Sequence, residues 1–382
     1  MRRTRSAGVS LLLIVATLLW IAFGVGIWAK RQALDTDNWV QTSDALLENE
    51  AVRTALGSFI VDNLFQSADV QQRLEASLPP QLDRLAAPAA AGLKEVARRN
   101  APRLLGSAAA LNAWRTANEA AHKRVLQIID GKLANGGVTL DLGELFAEVA
   151  AGAGLPPGAA DKLPPQVSTL VIAKSDDLET AKGLLDLFKK VVWILLALAV
   201  AAFAGAVALA RDRRRALVAV GGCLMFAGIA VLAVRSLAGK AVVDALADAP
   251  NAHAAAPDVW NIATSLLVDA AQGSLLFGLF LVSGAWLAGE GRRATSVRRA
   301  SAYPFREQPG LVRAGLGVAI LLLIVWGPVP WTQQFWTLLG FTIAAFVWLE
   351  WIRRRTLAEF PDEPPMRLSR TRRARPIQPE VT

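Results

Sequence analysis

The stretch AGVSLLLIVATLLWIAFGVGIWA, Ala7–Ala29, decides the class of fold. It carries no charge over a length that, as a helix, reaches about 35 Å, enough to cross a hydrocarbon core of about 30 Å. MRRTR precedes it and GIWAKR closes it. Its apolar region exceeds the roughly 7–15 residues of a secretory signal and shows no small-residue cleavage pattern, so it reads as an uncleaved anchor.

Five further apolar runs lie outward from it: Val191–Ala210, Ala216–Ala238, Ser274–Gly289, Ala314–Pro328 and Thr332–Trp351. The fourth and fifth of the six are short unless flanking residues are recruited. Composition agrees, because 382 residues with 53% hydrophobics and a mean hydropathy of +0.36 are too apolar for an ordinary soluble chain, while 19% charged residues require a water-facing part. The net charge of +9 does not point to nucleic acid, since the basic residues form short clusters against apolar runs. The single Cys223 sits inside such a run, where it has no disulfide partner and no metal-ligand company.

Orientation follows from the arginines. Arg2, Arg3 and Arg5; Arg211 and Arg213–Arg215; Arg292, Arg293, Arg298 and Arg299; and Arg353–Arg355 all fall on one side of a six-span chain, which the positive-inside rule makes cytoplasmic, with both termini. Lys30, Arg31, Lys189 and Lys190 dissent at the outer ends of the first two spans, where long side chains snorkel. Tryptophans near both ends of the spans fit an aromatic belt.

This topology places residues 30–190 outside as one domain, entered through LDTDNWV, Leu34–Val40. Asp35, Thr36 or Asp37 can cap a helix with Trp39, Val40, Ser43, Leu46 and Leu47 on one face. Asn49 can cap a second, striped by Val52, Leu56, Phe59, Ile60, Leu64 and Phe65. Pro79 and Pro80 open a third through Leu82, Leu85, Leu93 and Val96; Leu111, Trp114, Ala121, Val125 and Ile129 stripe a fourth. NGGVTLDL, Asn135–Leu142, and QVSTLVIA, Gln166–Ala173, are short and β-rich, and read either as a two-stranded patch or as extended loops. From Ser175 the stalk and second span read as one helical rod of about 54 Å.

The expected fold is therefore mainly α: a six-helix transmembrane protein with an extracytoplasmic helical domain and a small two-stranded β patch. Its parts are a cytoplasmic terminus and anchor (1–29), the outer domain (30–190), five spans (191–352) with an outer amphipathic segment at 239–272, and a basic tail (353–382). That segment, with Val259, Ile262, Leu266 and Leu267 in helical register, lies on the membrane or packs under the domain. The tail, rich in Pro and Arg, reads as disordered.

Little in the chain suggests catalysis. His122 and His253 are the two histidines, neither at metal-ligand spacing, and no Walker loop, dinucleotide fingerprint, nucleophile elbow or HExxH occurs. No cofactor is expected. The span centres are uncharged, which weighs against coupled transport. Arg235, near the outer end of the third span, is the main exception; read at the same height as Asp269, it is expected to form an intramembrane ion pair with it, failing which it is a snorkelling anchor. Thr295, Ser296 and Ser301 follow basic pairs, RRATS and RRAS, that resemble kinase sites as well as topology anchors. The small residues Ala201, Gly205, Gly284 and Ala288 permit close helix packing.

Several motifs taken together, LDTDNWV, AWRTANEAAH at Ala113–His122, GGVTLDL, a proline pair before STLVIAKSDDL, and RDRRR after the second span, resemble the uncharacterised multi-pass integral membrane proteins common in high-GC actinobacteria. The likeness runs from about Val25 to Arg215. It implies the same topology and a cell-membrane location, and supplies no activity, cofactor or catalytic residue. The expected role is interaction, assembly or sensing at the cell envelope, with the lipid bilayer and an envelope protein or lipid as partners, and no nucleic acid. A transporter or transporter accessory subunit is the alternative, and a membrane-embedded enzyme comes third.

Overall fold

The computed structural model describes residues 2–67, 85–130, 138–141, 169–173, 175–245, 250–326 and 335–361, together with the isolated helical positions 72 and 76. Among them are twelve helices. These are α1 (Arg2–Leu34), α2 (Thr36–Glu48), α3 (Glu50–Ser67), α4 (Ala86–Leu105), α5 (Ala108–Ile129), α6 (Ser175–Leu209), α7 (Arg213–Ala245), α8 (Pro250–Ala263), α9 (Ser265–Leu287), α10 (Arg292–Glu307), α11 (Pro309–Trp326) and α12 (Phe335–Glu359). Strands β1 (Val138–Asp141) and β2 (Thr169–Ala173) pair antiparallel, Asp141 opposite Thr169 and Leu140 opposite Leu170, with an irregularity after Val138.

The protein is thus mainly helical, and four helices are long and apolar enough to cross a membrane: Ser6–Leu34, Lys182–Leu209, Arg213–Ala245 and Ser265–Leu287. They suggest a membrane protein. The fourth recruits the residues before Ser274, as its short apolar run required. The apolar stretch of α11, Pro309–Leu322, is shorter than the other four. The ends of the last two expected runs, 327–328 and 332–334, lie outside the described residues, as do Pro79, Pro80, Leu82 and the terminal tail from 362. Stalk and second span form one helix, Ser175–Leu209.

Two compact units make up the chain: Ile14–Ala202 with Phe226–Ala271, and Met1–Leu13 with Phe203–Met225 and Gln272–Thr382. In the first of these, local rules set the boundaries. Of the three possible caps for α2, Asp35 takes the role, its carboxylate accepting from Asn38 N at 3.1 Å. Asn49 caps α3 by accepting from Val52 N at 3.1 Å. Ser43 and Leu47 form the buried face of α2.

The next helix pair, α3 and α4, departs from its hydrophobic pattern. α3 turns Gly57 and Val61 inward and leaves Phe59 63%, Ile60 36% and Leu64 58% exposed. α4 buries Ala86 and Ala90, while Leu93, Val96 and Leu104 face out. The cause is the closeness of the crossing: a Cβ on Gly57 would stand 3.0 Å from Ala101 Cβ. Only small side chains fit there. Lys94 and Arg98 close the same crossing on Asp62 at 2.8 and 2.5 Å.

α8 packs on α2 and α3, so the segment expected either on the membrane or under the domain takes the second place. Asn49 Nδ2 donates to Asp258 at 3.1 Å, and Ala255 and Ala256 are buried. Two of the four dissenting cations are engaged locally. Lys30 lies 5.1 Å from the Trp193 ring centroid, and Lys189 pairs with Asp130 at 3.4 Å.

In the other unit α7 and α9 cross at two glycines. A Cβ on Gly221 would meet Gly278 O at 2.7 Å, and one on Gly278 would meet Gly221 O at 2.5 Å. The small residues singled out in the sequence serve differently: Gly205 meets only Leu12 Cδ1, at 3.8 Å, and Gly284 makes room for the Trp348 indole. The RRATSVRRAS stretch is helical. α10 buries Ala294, Arg298, Ala302 and Phe305, a stripe at helical spacing, against α11 and α12.

Candidate functional site

The entry stretch LDTDNWV and the AWRTANEAAH helix meet. On α5, Trp114 Nε1 donates to Ser43 O at 3.0 Å, and Arg115 pairs with Asp44 at 2.7 Å. His122, 7% exposed, sits 3.1 Å from Thr36 Oγ1 through Nδ1 and 3.2 Å from Ala33 O through Nε2. A carbonyl can only accept, so Nε2 donates to Ala33 O, while the Thr36 hydroxyl can serve Nδ1 as donor or acceptor. The Trp39 ring stacks on the imidazole with centroids 5.0 Å apart and planes at 16°. The histidine therefore fastens the end of α1 and the start of α2 to α5. With both nitrogens engaged and one face covered, the arrangement is a structural clasp.

Arg235 and Asp269 are not brought together. The guanidinium donates instead to Thr264 Oγ1 at 2.7 Å and Asn261 Oδ1 at 2.8 Å. The helical break between α8 and α9 explains the difference. Thr264 lies at that break, its hydroxyl donates to Trp260 O at 2.6 Å, and its oxygen still has a lone pair free to accept. Asp269, one turn into α9, is half-buried and has no ion pair among the described residues.

A second arginine plays a role that its sequence context conceals. Arg298, one of the expected topology anchors, is 2% exposed. Its Nε and Nη2 hold the Glu359 carboxylate at 2.8 and 3.0 Å, and Nη1 donates to Leu287 O and Gly289 O. It thus satisfies carbonyls left open at the end of α9 and ties them to α10 and α12. The guanidinium holds the Glu359 carboxyl below its ordinary range. The only sequence signal was the spacing of Ala294, Arg298, Ala302 and Phe305, in which an arginine occupies an inward position. Among the neighbouring hydroxyls, Thr295 Oγ1 donates to Gly291 O at 3.1 Å and Ser301 Oγ to Arg298 O at 3.0 Å. Ser296 is the exposed one of the three.

Among the described residues no group of three or more His, Cys, Asp or Glu side chains is arranged to hold a metal ion. No family model, curated protein or solved structure matches this chain.

Proposed function

We propose that this is a multi-pass cell-membrane protein, not an enzyme, whose domain between the first two spans binds a protein or lipid partner at the cell envelope. In this reading the chain crosses six times, α11 and α12 supplying the last two passages, and belongs with the actinobacterial membrane proteins that its motifs resemble. The domain stands outside the cytoplasm and carries the β1–β2 patch, and both termini are inside. Four passages or six leave the termini on the same side, so the arginine clusters favour the same orientation under either count.

The observation that carries the reading is the exposed apolar stripe of α4. Leu93, Val96 and Leu104 are 53%, 57% and 68% exposed and fall within about 80° of one another around α4. Ordered helices rarely spend large apolar side chains on water, and such a stripe marks an interaction surface. A photo-reactive side chain placed at Leu93 or Leu104 of the full chain in cells is expected to give a discrete adduct with one envelope protein or lipid. The same probe at exposed Arg99 should give none, and the substitutions Val96→Ser and Leu104→Ser should abolish the Leu93 adduct. Equal labelling from all three positions would remove the basis for an interface.

A further inference from the structure

A cleft of about 560 Å³ opens between α7, α9 and α12, entirely within one compact unit. Its mouth is polar and its wall apolar. Arg214 and Arg355 stand at the mouth, and Gly284, Trp348, Phe280 and Leu281 line the way inward. From the end of α9 at Leu287 to Phe280 is about 10 Å along the helix. Both guanidiniums are exposed at the mouth. That of Arg214 lies against Gly289, where any Cβ would collide with it, and that of Arg355 sits 5.7 Å from the Trp351 ring centroid. Neither has an ion pair within 4.0 Å among the described residues; Glu359, which acts on Arg355 electrostatically, is itself held by Arg298. Of the two carboxylates near the mouth, Asp212 is taken up by Arg215 at 3.2 Å, which leaves exposed Glu290 against two arginines. The wall is shaped by Gly284, which admits the Trp348 indole, itself packed on Phe280 with centroids 5.3 Å apart.

We propose that this cleft binds one anionic phospholipid, its phosphate held by Arg214 and Arg355 and one acyl chain lying along Gly284 and Trp348 toward Phe280. The order of chemistry along the cleft, cationic then aromatic then aliphatic, follows that of a phospholipid from phosphate to acyl chain. It lies where the ends of two span-length helices would meet the headgroup layer. The excess of positive charge at the mouth selects a lipid of net negative charge. This inference is independent of the partner proposed for the outer domain.

The test uses the full chain in a neutral detergent, titrated with phosphatidylglycerol, with retained lipid counted by native mass spectrometry. One phosphatidylglycerol per chain is expected, held better than phosphatidylcholine and not displaced by glycerol phosphate. The double substitution R214Q/R355Q should weaken retention roughly thirtyfold. Ala288→Phe, which fills the cleft and keeps its charges, should also abolish it, while R292Q/R293Q, which removes exposed charge outside the cleft, should not. Melting curves matching the wild type confirm that each variant is folded, and the two cleft variants act independently, so misfolding of one leaves the other as the test. The proposal is overturned if phosphatidylglycerol is retained equally by both cleft variants, if R292Q/R293Q weakens it as much, or if phosphatidylcholine binds as well. Displacement by glycerol phosphate would identify a soluble phosphate site and overturn it too.

Discussion

Arginines placed among apolar neighbours define the chemistry of this chain at the scale of single residues. Arg298 combines near-complete burial with four hydrogen bonds to three groups. Removing its side chain leaves Glu359 and two carbonyls without their donor, so Arg298→Ala should lower stability in detergent by roughly 2–3 kcal/mol. Arg298→Lys should recover only part, because an ammonium cannot satisfy a carboxylate and two carbonyls in fixed directions. A melting series in which lysine and alanine are equally damaging would remove geometry from the explanation. Arg235 offers a sharper comparison. Arg235→Ala and Thr264→Val share one hydrogen bond and should be non-additive by about 0.5–3 kcal/mol, whereas Arg235→Ala and Asp269→Ala should add. The reverse pattern, measured as unfolding midpoints of the single and double variants, would restore the Asp269 pairing.

Among elements, the close crossings decide which substitutions are tolerated. At the α7–α9 crossing the backbones leave no room for a side chain on Gly221 or Gly278, while Gly222, one position on, has nothing within 4 Å of its Cβ site. Gly221→Val should cost about 1–3 kcal/mol through overpacking, and Gly222→Ala should be nearly neutral. Matching melting temperatures for the two would mean that the helices do not cross there. The α3–α4 crossing is tied electrostatically as well. Hydrogen bonds from Arg98 and then Lys94 hold the Asp62 carboxyl below its model-compound value of 3.8. A depressed carboxyl stabilises the folded state above its unfolded pKa and ceases to do so as pH falls through its folded one. Protection of α3 and α4 amides from hydrogen exchange should therefore hold from neutral pH down to about 4 and weaken below it. Asp62→Asn should flatten that dependence. The effect is modest, because all three side chains are about a third exposed.

At the scale of the whole molecule, the proposed orientation rests on the arginine clusters and on the parity of the spans. Reporter fusions after Arg5, Arg215, Arg299 and Arg355 should all read cytoplasmic, and fusions at Asn100 and Pro250 external. A single cluster on the other side would break the orientation, and fusions in the turn between α11 and α12 separate six passages from four: external for six, cytoplasmic for four. Of the four cations that dissent from the sequence pattern, Lys30 and Lys189 have local partners. One is stacked over Trp193 and the other paired with Asp130, so their charges are met locally.

The class of fold was legible in the sequence because its signals are local. The length of Ala7–Ala29 fixes a helix long enough to cross a bilayer, and the capping chemistry of Asp35 and Asn49 acts within a single turn, so both were readable from neighbouring residues alone. The clasp was half legible, since its two motifs stood out without any sign that they touch. What the tertiary structure alone decided is which side of each helix faces a neighbour. Periodicity marked Phe59, Leu64, Leu93 and Val96 as an inner face, yet the close contact falls at Gly57 and Ala101, because how closely two helices approach depends on both partners at once. In the same way the reach of a guanidinium leaves several acceptors open to it, and only the packed structure selects Thr264 over Asp269 for Arg235, and Glu359 with two helix-end carbonyls over lipid headgroups for Arg298.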